Sequence, residues 1–275
     1  MTHPGWTAVH VRSTAHRAAV VRALFESGAE SVQELESEVV THLRSPDLMA
    51  LRHAVARADA GAEVVSHPTP DVDWTVAWRT HLKPQRAGAL VVTPPWFADD
   101  YSAAERIVIE PGMAFGTGDH ETTRGVLRLL PGLLRAGDLV ADLGSGSGVL
   151  GIAAAKLGAR HVYGIENDPD AASNAETNVC LNDVAAAVTM MQGNAFHLLP
   201  LVAPVQMVLA NIVTPVLTEL IPVIADAVGA GGRAILSGIL TEESGHIRSA
   251  IEAGAWTITA TDEEGLWWSV AIARA

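Results

Sequence analysis

The chain has 275 residues, of which 49% are hydrophobic and 18% charged, with a mean hydropathy of +0.24. That supply of apolar side chains excludes a disordered chain, and at roughly 150 residues per domain the length points to a main domain and an accessory one. Eighteen Lys and Arg against 31 Asp and Glu give a net charge of -13, acidic both before and after residue 110, which argues against a duplex nucleic acid ligand and suits a basic protein partner.

The first residues, MTHPGWTAVHV, contain no basic segment followed by an apolar one, so no signal peptide is expected. Residues 6–12 (WTAVHVR) alternate as a half-buried strand does. Ser13 or Thr14 is placed to cap a helix in which Ala18, Val21, Leu24 and Phe25 recur at helical spacing, with Gly28 as its stop. Two strand-like runs, SVQELES and EVVTHLR, precede Pro46 and Asp47, which open a second helix with Leu48, Leu51 and Val55 inward. It ends near Gly61, and AEVVSH follows. The order β-α-β-β-α-β is that of a small ferredoxin-like α+β domain, expected over residues 1–66. No catalytic residue types are grouped in it, so it reads as a packing or docking module. Residues 67–96 read as a connector with Pro68, Pro70, Pro84, Pro94 and Pro95. Its one short helix, DWTVAWRTHLK, is capped by Asp73 and places Trp74 and Trp78 on one face, as for packing between elements.

Residues 97–275 read as an α/β domain. The strands RIVIE, LVADL, HVYGIE, VTMMQGN, VQMVLAN and RAILSGIL alternate with helices over 121–130, 149–157, 169–181 and 215–228, the pattern of a parallel sheet covered on both faces. After a helix over 247–253, WTITAT and LWWSVAIA are joined by a turn-like DEEG, which predicts an antiparallel hairpin at one sheet edge. The most apolar long run, 198–217, is broken by Pro200, Pro204, Gln206, Asn211 and Pro215 and is unsuited to a membrane span. Cys180 stands alone, and eleven histidines show no HxH, HExxH or CxxC-type spacing, so neither a disulfide nor a metal is expected and the location expected is the cytoplasm.

The run Val140-Ala-Asp142-Leu-Gly144-Ser-Gly146-Ser-Gly148 is an apolar strand entering a glycine-rich turn and a helix, which lets a ligand approach the backbone at the carboxyl edge of the sheet. A dinucleotide fingerprint needs G-x-G-x-x-G, but position 149 is Val; no GK[ST] follows, so a P-loop is excluded as well. The turn has no Lys or Arg to meet a pyrophosphate, whereas Asp142 can accept hydrogen bonds from a ligand ammonium. Glu166, ending the next strand, can take both hydroxyls of a ribose; Asp168-Pro169 has a sufficient reading as a helix cap. Gly193-Asn194, ending the following strand, falls on the adenine side, either to pair with a purine edge or as a plain turn. An ammonium, a ribose and an adenine without phosphate describe S-adenosylmethionine.

At this point the chain resembles a known family. The run Glu110-Pro-Gly-Met-Ala-Phe115-Gly-Thr-Gly118-Asp-His120-Glu-Thr-Thr123, then ADLGSGSGVLGIAAAKLGA, NIV at 211–213 and LSGIL at 236–240, is similar to the PrmA family of ribosomal protein methyltransferases, as are DWTVAW and PPW in the connector. The resemblance implies a ferredoxin-like domain before a Rossmann-like seven-strand methyltransferase domain. It also implies methyl transfer from S-adenosylmethionine to amino groups, of lysine side chains and of the N-terminus, in large-subunit ribosomal protein L11. Carried over by position, Phe115, Gly116, Thr117 and Gly118 match the loop that closes over the cofactor. Asp142, Gly144 and Gly146 match the methionine-side turn, Glu166 the ribose-binding acid, and Asn211 the polar residue beside the transferred methyl. Asp119 and Glu121 stand where the family commonly has Thr and Pro, and Glu166 and Asn194 where Asp is usual.

The acceptor must be a neutral amine, and with a lysine pKa of about 10.4 its preparation near neutral pH costs about 4 kcal/mol. Asn211 can orient the amine through its carbonyl without a formal charge, or it is a strand-end residue ahead of Pro215. His120 is placed to take the proton, or serves only the helix start. The rival readings are a lysine methyltransferase acting on a non-ribosomal protein, a non-catalytic cofactor-binding module and an NAD-dependent oxidoreductase.

Overall fold

A computed structural model describes residues 6–13, 16–29, 32–35, 37–44, 46–68, 82–112 and 114–274, and the chain divides into two compact units, residues 1–81 and 82–275. The expected tryptophan helix of the connector, with Trp74 and Trp78, lies outside the described residues.

In the first unit the elements are β1 (Trp6–Arg12), α1 (Arg17–Glu26), β2 (Val32–Glu34), β3 (Val39–Arg44), α2 (Leu48–Ala58) and β4 (Glu63–Pro68). The strands form an antiparallel sheet in the order β2-β3-β1-β4. Alternation along β1 sends Val9 and Val11 inward to meet Val39 and Leu43 of β3, Val20 and Leu24 of α1, and Leu51 and Val55 of α2. Asp47 caps α2, accepting from the backbone N–H groups of Met49 and Ala50. The start of α1 differs from the sequence expectation. Its cap position is His16, with no side-chain bond, because the Ser13 hydroxyl is spent on Asp59 at 2.7 Å. The inward face is also rotated: Val20, Ala23 and Leu24 are buried while Ala18 and Phe25 are exposed.

The second unit opens with β5 (Gln85–Ala87), β6 (Leu90–Thr93), a 3-10 turn over Pro95–Asp100 and β7 (Arg106–Val108). There follow α3 (Glu121–Leu133), β8 (Leu139–Leu143), α4 (Val149–Lys156), β9 (His161–Glu166), α5 (Pro169–Leu181) and β10 (Val188–Gln192). The chain continues through α6 (Ala195–Val202), β11 (Met207–Asn211), α7 (Thr214–Val228), β12 (Arg233–Leu240), α8 (Ser244–Ala253), β13 (Trp256–Glu264) and β14 (Trp267–Arg274). Seven strands pair in the order β10-β9-β8-β11-β12-β14-β13; the first five are parallel, and β14 is antiparallel to both neighbours. The edge hairpin is thus as the sequence predicts. Side chains alternate between two cores. Ala141, Leu143, Val208 and Ala210 pack under α6, α7 and α8; Val140, Leu209 and Ile235 pack under α3 and α4.

Four sequence expectations change here. The RIVIE run does not enter the large sheet: β7 pairs in parallel with β6, and a separate sheet β5-β6-β7 covers the α3 side. The backbone beyond it is taken by side chains of α5, with the Val108 N–H donating to Asn182 and the Glu110 N–H to Asn178, both at 2.8 Å. The proline-rich stretch before residue 97 therefore includes two strands that its composition hides. The DEEG segment is strand through Glu264, since Asp262 and Glu264 face arginines of α3; the turn is Gly265-Leu266. Finally, the apolar run after Asn194 includes the short helix α6, where no helix is expected from the sequence.

Among the described residues no helix is long and apolar enough to cross a membrane, and no group of three or more His, Cys, Asp or Glu could hold a metal ion.

Candidate active site

The strand order reverses at β8, whose neighbours β9 and β11 lead to opposite sides of the sheet, and ligands of such sheets bind at the carboxyl end of that switch point. A cavity of about 440 Å³ lies there, walled by Gly144, Gly146, Glu166, Asn211, His120 and Trp267 among others. A second, of about 300 Å³, adjoins it and shares Gly144, Glu166 and Ile212; Gly193 and Asn194 are on its far wall. Neither is lined by Lys or Arg, so the chemistry suits a neutral or cationic ligand rather than a phosphate.

The glycine turn is shaped by close approach of two segments. Gly146 has φ +53°, and a Cβ there would lie 2.5 Å from the Phe115 carbonyl oxygen. Gly116 has φ +105°, and its Cβ would meet the Ser147 hydroxyl at 2.8 Å. Glycine at both positions lets the 115–118 loop lie on the turn, joined by the Ser147 N–H donating to the Phe115 carbonyl at 2.9 Å and the Ser147 hydroxyl donating to the Gly116 carbonyl at 2.8 Å. Phe115 remains 54% exposed at the cavity rim. Gly116 and Thr117 line a neighbouring outer recess together with Asp119 and Glu121, while Gly118 is turned away against Val92 of β6. The two loop segments that the sequence places 28 residues apart thus meet, but only Phe115 of the loop quartet reaches the main cavity.

Glu166 sits at the junction of the two cavities. One carboxylate oxygen accepts the Gly146 N–H at 2.8 Å and the other the Asp168 N–H at 3.0 Å, which orients the group while leaving each oxygen a further lone pair. Asp168 caps α5 through the Asp170 N–H, as expected, and Asn194 caps α6 through the Phe196 N–H at 2.8 Å, which leaves its amide N–H₂ for a ligand.

Asp142 corrects the sequence expectation. It is fully buried beneath the turn and is not among the residues that wall the cavity, whereas the sequence expectation puts its carboxylate at the surface of the site. One oxygen accepts the Gly151 N–H at 2.8 Å and the other has no partner. Burial, reinforced by the nearby Glu166 and opposed by the Gly151 bond, pushes its pKa up to about 7.

Asn211 ends β11 on the cavity wall, and its amide is bonded to no other described residue. His120 caps α3: its Nδ1 accepts the Thr122 N–H at 3.3 Å and lies 2.8 Å from the Thr122 hydroxyl. The Thr122 N–H bond engages Nδ1 in the tautomer that carries its proton on Nε2, whereas the tautomer protonated at Nδ1 donates to the Thr122 hydroxyl instead. His120 is flanked by the rings of Phe115, centroids 5.2 Å apart, and Trp267, 4.9 Å apart. Ile212 and Gly238, from the NIV and LSGIL runs, also line the cavity, as does Trp267, which has no local sequence signal; it is 147 positions from His120 and reaches it only through closure of the sheet by β14.

The chain is similar to known proteins. The family model for PrmA, ribosomal protein L11 methyltransferase, matches residues 5–275. The ribosomal protein L11 methyltransferase of Thermus thermophilus is 38% identical over 256 residues, covering 93% of this chain and 94% of that protein. That of Pelotomaculum thermopropionicum is 42% identical over 234 residues, covering 83% and 75% respectively. The crystal structure of ribosomal protein L11 methylase from Lactobacillus delbrueckii subsp. bulgaricus superposes with a TM-score of 0.63 at 30% identity, over 70% of this chain and 99% of that one. Matched in sequence across nearly its whole length and in fold over 70% of it, the chain belongs to the PrmA family of ribosomal protein L11 methyltransferases.

Proposed function

We infer that this chain transfers methyl groups from S-adenosylmethionine to amino groups of ribosomal protein L11, using the paired cavities at the end of β8. The observation that carries the reading is the carboxylate of Glu166 at the junction of two cavities free of Lys and Arg, under a loop seated on a glycine turn. Glu166 would hold the ribose hydroxyls, the turn at Gly144 and Gly146 the methionine side, and Asn194 the purine edge through its free N–H₂. When bound, the sulfonium supplies an electrophilic methyl.

The chain's own residues prepare the amine. Asn211 accepts an N–H through its carbonyl and holds the lone pair in line; a carboxylate in its place would favour the ammonium form. His120 acts as helix cap and cavity wall, and the proton leaves through solvent. Phe115, His120 and Trp267 give the acceptor an aromatic approach. The first unit, read as ferredoxin-like with the order β2-β3-β1-β4 in support, is assigned the docking of the protein substrate. Its acidic character, shared with the whole chain, fits a basic partner free of RNA in the cytoplasm.

Two substitutions separate binding from chemistry. Glu166→Ala is expected to weaken cofactor binding by about 1.5–3 kcal/mol, the worth of a hydrogen bond to a charged group, as read by calorimetry; unchanged affinity would place the ribose elsewhere. Asn211→Ala is expected to lower kcat on L11 about 10–100-fold with cofactor affinity kept within about twofold, in the range lost when an oriented contact is removed. Label from the methyl donor appearing on no ribosomal protein would sink the substrate assignment.

A further inference from the structure

Four charged residues beside the cavity have no place in the chemistry above. Arg124 and Arg128 project from α3, Asp262 and Glu264 from β13, and they meet across the open end of the sheet. Arg124 donates from Nε at 3.1 Å and from Nη2 at 2.6 Å to Glu264. Arg128 donates from Nη2 at 2.7 Å to the other Glu264 oxygen and from Nε at 2.8 Å to Asp262. The third nitrogen of Arg124, Nη1, turns the opposite way, donating to the Asp119 carbonyl and, at 3.5 Å, to the Gly118 carbonyl. One guanidinium therefore joins the cofactor loop, whose Phe115 and His120 form one wall of the acceptor approach, to the strand end that carries the facing wall. Glu264 stands opposite Trp267 in the β13-β14 register, across a turn of only Gly265 and Leu266.

We propose that Glu264 and Arg124 are positioning residues for methyl transfer, fixing Trp267 against His120 so that the acceptor amine enters on the line set by Asn211. Resting on the methyltransfer reading, the assignment follows from reach. Trp267 has one residue between it and the turn glycine, so its ring direction depends on how Glu264 is anchored. His120 is itself the cap of the helix that supplies both arginines. The anchor is persistent: the Arg124 side chain is 15% exposed, and hydrogen bonding to Arg124, with Arg128 adding to it, holds the Glu264 carboxyl below its ordinary range. A fork of fixed geometry suits this task, since it can serve two backbone segments at once in one plane.

The test uses the full chain with L11 and labelled methyl donor, measuring kcat, acceptor KM, cofactor affinity by calorimetry and thermal stability. Glu264→Ala is expected to lower kcat tenfold or more while cofactor affinity stays within twofold, and Glu264→Gln, which keeps an oxygen for Arg124, to recover part of the loss. Asp262→Asn weakens the same charged network one pair away from the bridge and should keep kcat within twofold at a comparable loss of stability. The inference is overturned if Glu264→Ala keeps kcat within twofold, or if Asp262→Asn loses as much as Glu264→Ala, since the network then serves only the fold. Should Glu264→Ala not fold, a drop in kcat of threefold or more in Glu264→Gln at unchanged cofactor affinity supports the inference and an unchanged kcat removes it. Absence of transfer by the unaltered chain would instead remove the methyltransfer reading itself.

Discussion

Replacing Gly146 by alanine is expected to reduce S-adenosylmethionine affinity a hundredfold or more. The backbone there has φ +53°, a region that costs an L residue about 1–2 kcal/mol. The added Cβ would lie 2.5 Å from the carbonyl oxygen of Phe115, and because both partners are main chain no side-chain rotation relieves it. The 115–118 loop must lift, which breaks the bonds from Ser147 to the Phe115 and Gly116 carbonyls, each worth about 0.5–1.5 kcal/mol. The Gly146 N–H that orients Glu166 shifts with it. The sum is about 2–5 kcal/mol, with its midpoint above the roughly 2.7 kcal/mol of a hundredfold loss, spent where the cavity mouth closes. Calorimetric titration decides the matter: affinity within tenfold of the parent would mean that the loop does not need to seat on the turn.

The second large effect is on the pH dependence of stability. Asp142 has its pKa pushed up to about 7 by burial, against about 3.9 in an unfolded chain. Below about pH 4 the group is neutral in both states and contributes no difference. Between about pH 4 and 7 the unfolded chain ionises while the fold retains the proton, so this group removes stability steadily as pH rises, by up to about 4 kcal/mol, and the loss is constant above. Asp142→Asn keeps an oxygen for the Gly151 N–H and cannot ionise. Its stability should therefore change by about 3 kcal/mol less between pH 5 and pH 8 than that of the parent, as read from denaturant midpoints. Parallel profiles would show that Asp142 titrates as an ordinary carboxyl. The same shift has a consequence for binding. A cationic ligand above the turn favours the carboxylate, so the parent should bind S-adenosylmethionine more tightly as pH rises through about 7, releasing a proton on binding, and Asp142→Asn should lack that slope.

The helices and strands around the turn were legible because their signals are local. Asp47 and Asp168 sit at the starts of α2 and α5 as caps, the apolar run before Gly144 is a buried strand, and the two final strands lie too close in sequence to do other than pair back on each other. Elements whose cause is a distant partner were misread. β5 and β6 are strands because β7 and α3 cover them, in a segment whose prolines suggest a linker. Asp262 to Glu264 look like a turn until the arginines of α3 are placed beside them. α1 buries Val20 and Ala23 rather than Ala18 and Phe25 because the sheet it lies on, and not its own periodicity, decides which stripe faces in.

The site divides in the same way. From residue types and spacing alone the chain determined the ligand class and offered candidate holders: glycines where a Cβ would block close approach, an acid one strand away, and no cation to meet a phosphate. The chemistry of recognition is a property of residue types, and those are written in order along the chain. Only the tertiary structure decided which way each group faces. It put Asp142 beneath the turn, where desolvation rather than ligand contact governs it. It placed His120 at a helix cap, and it brought Trp267 beside His120 and Glu264 beside Arg124 from far along the sequence. Burial and hydrogen-bond partnership are relations between segments far apart in the chain, and they exist only once the sheet has closed.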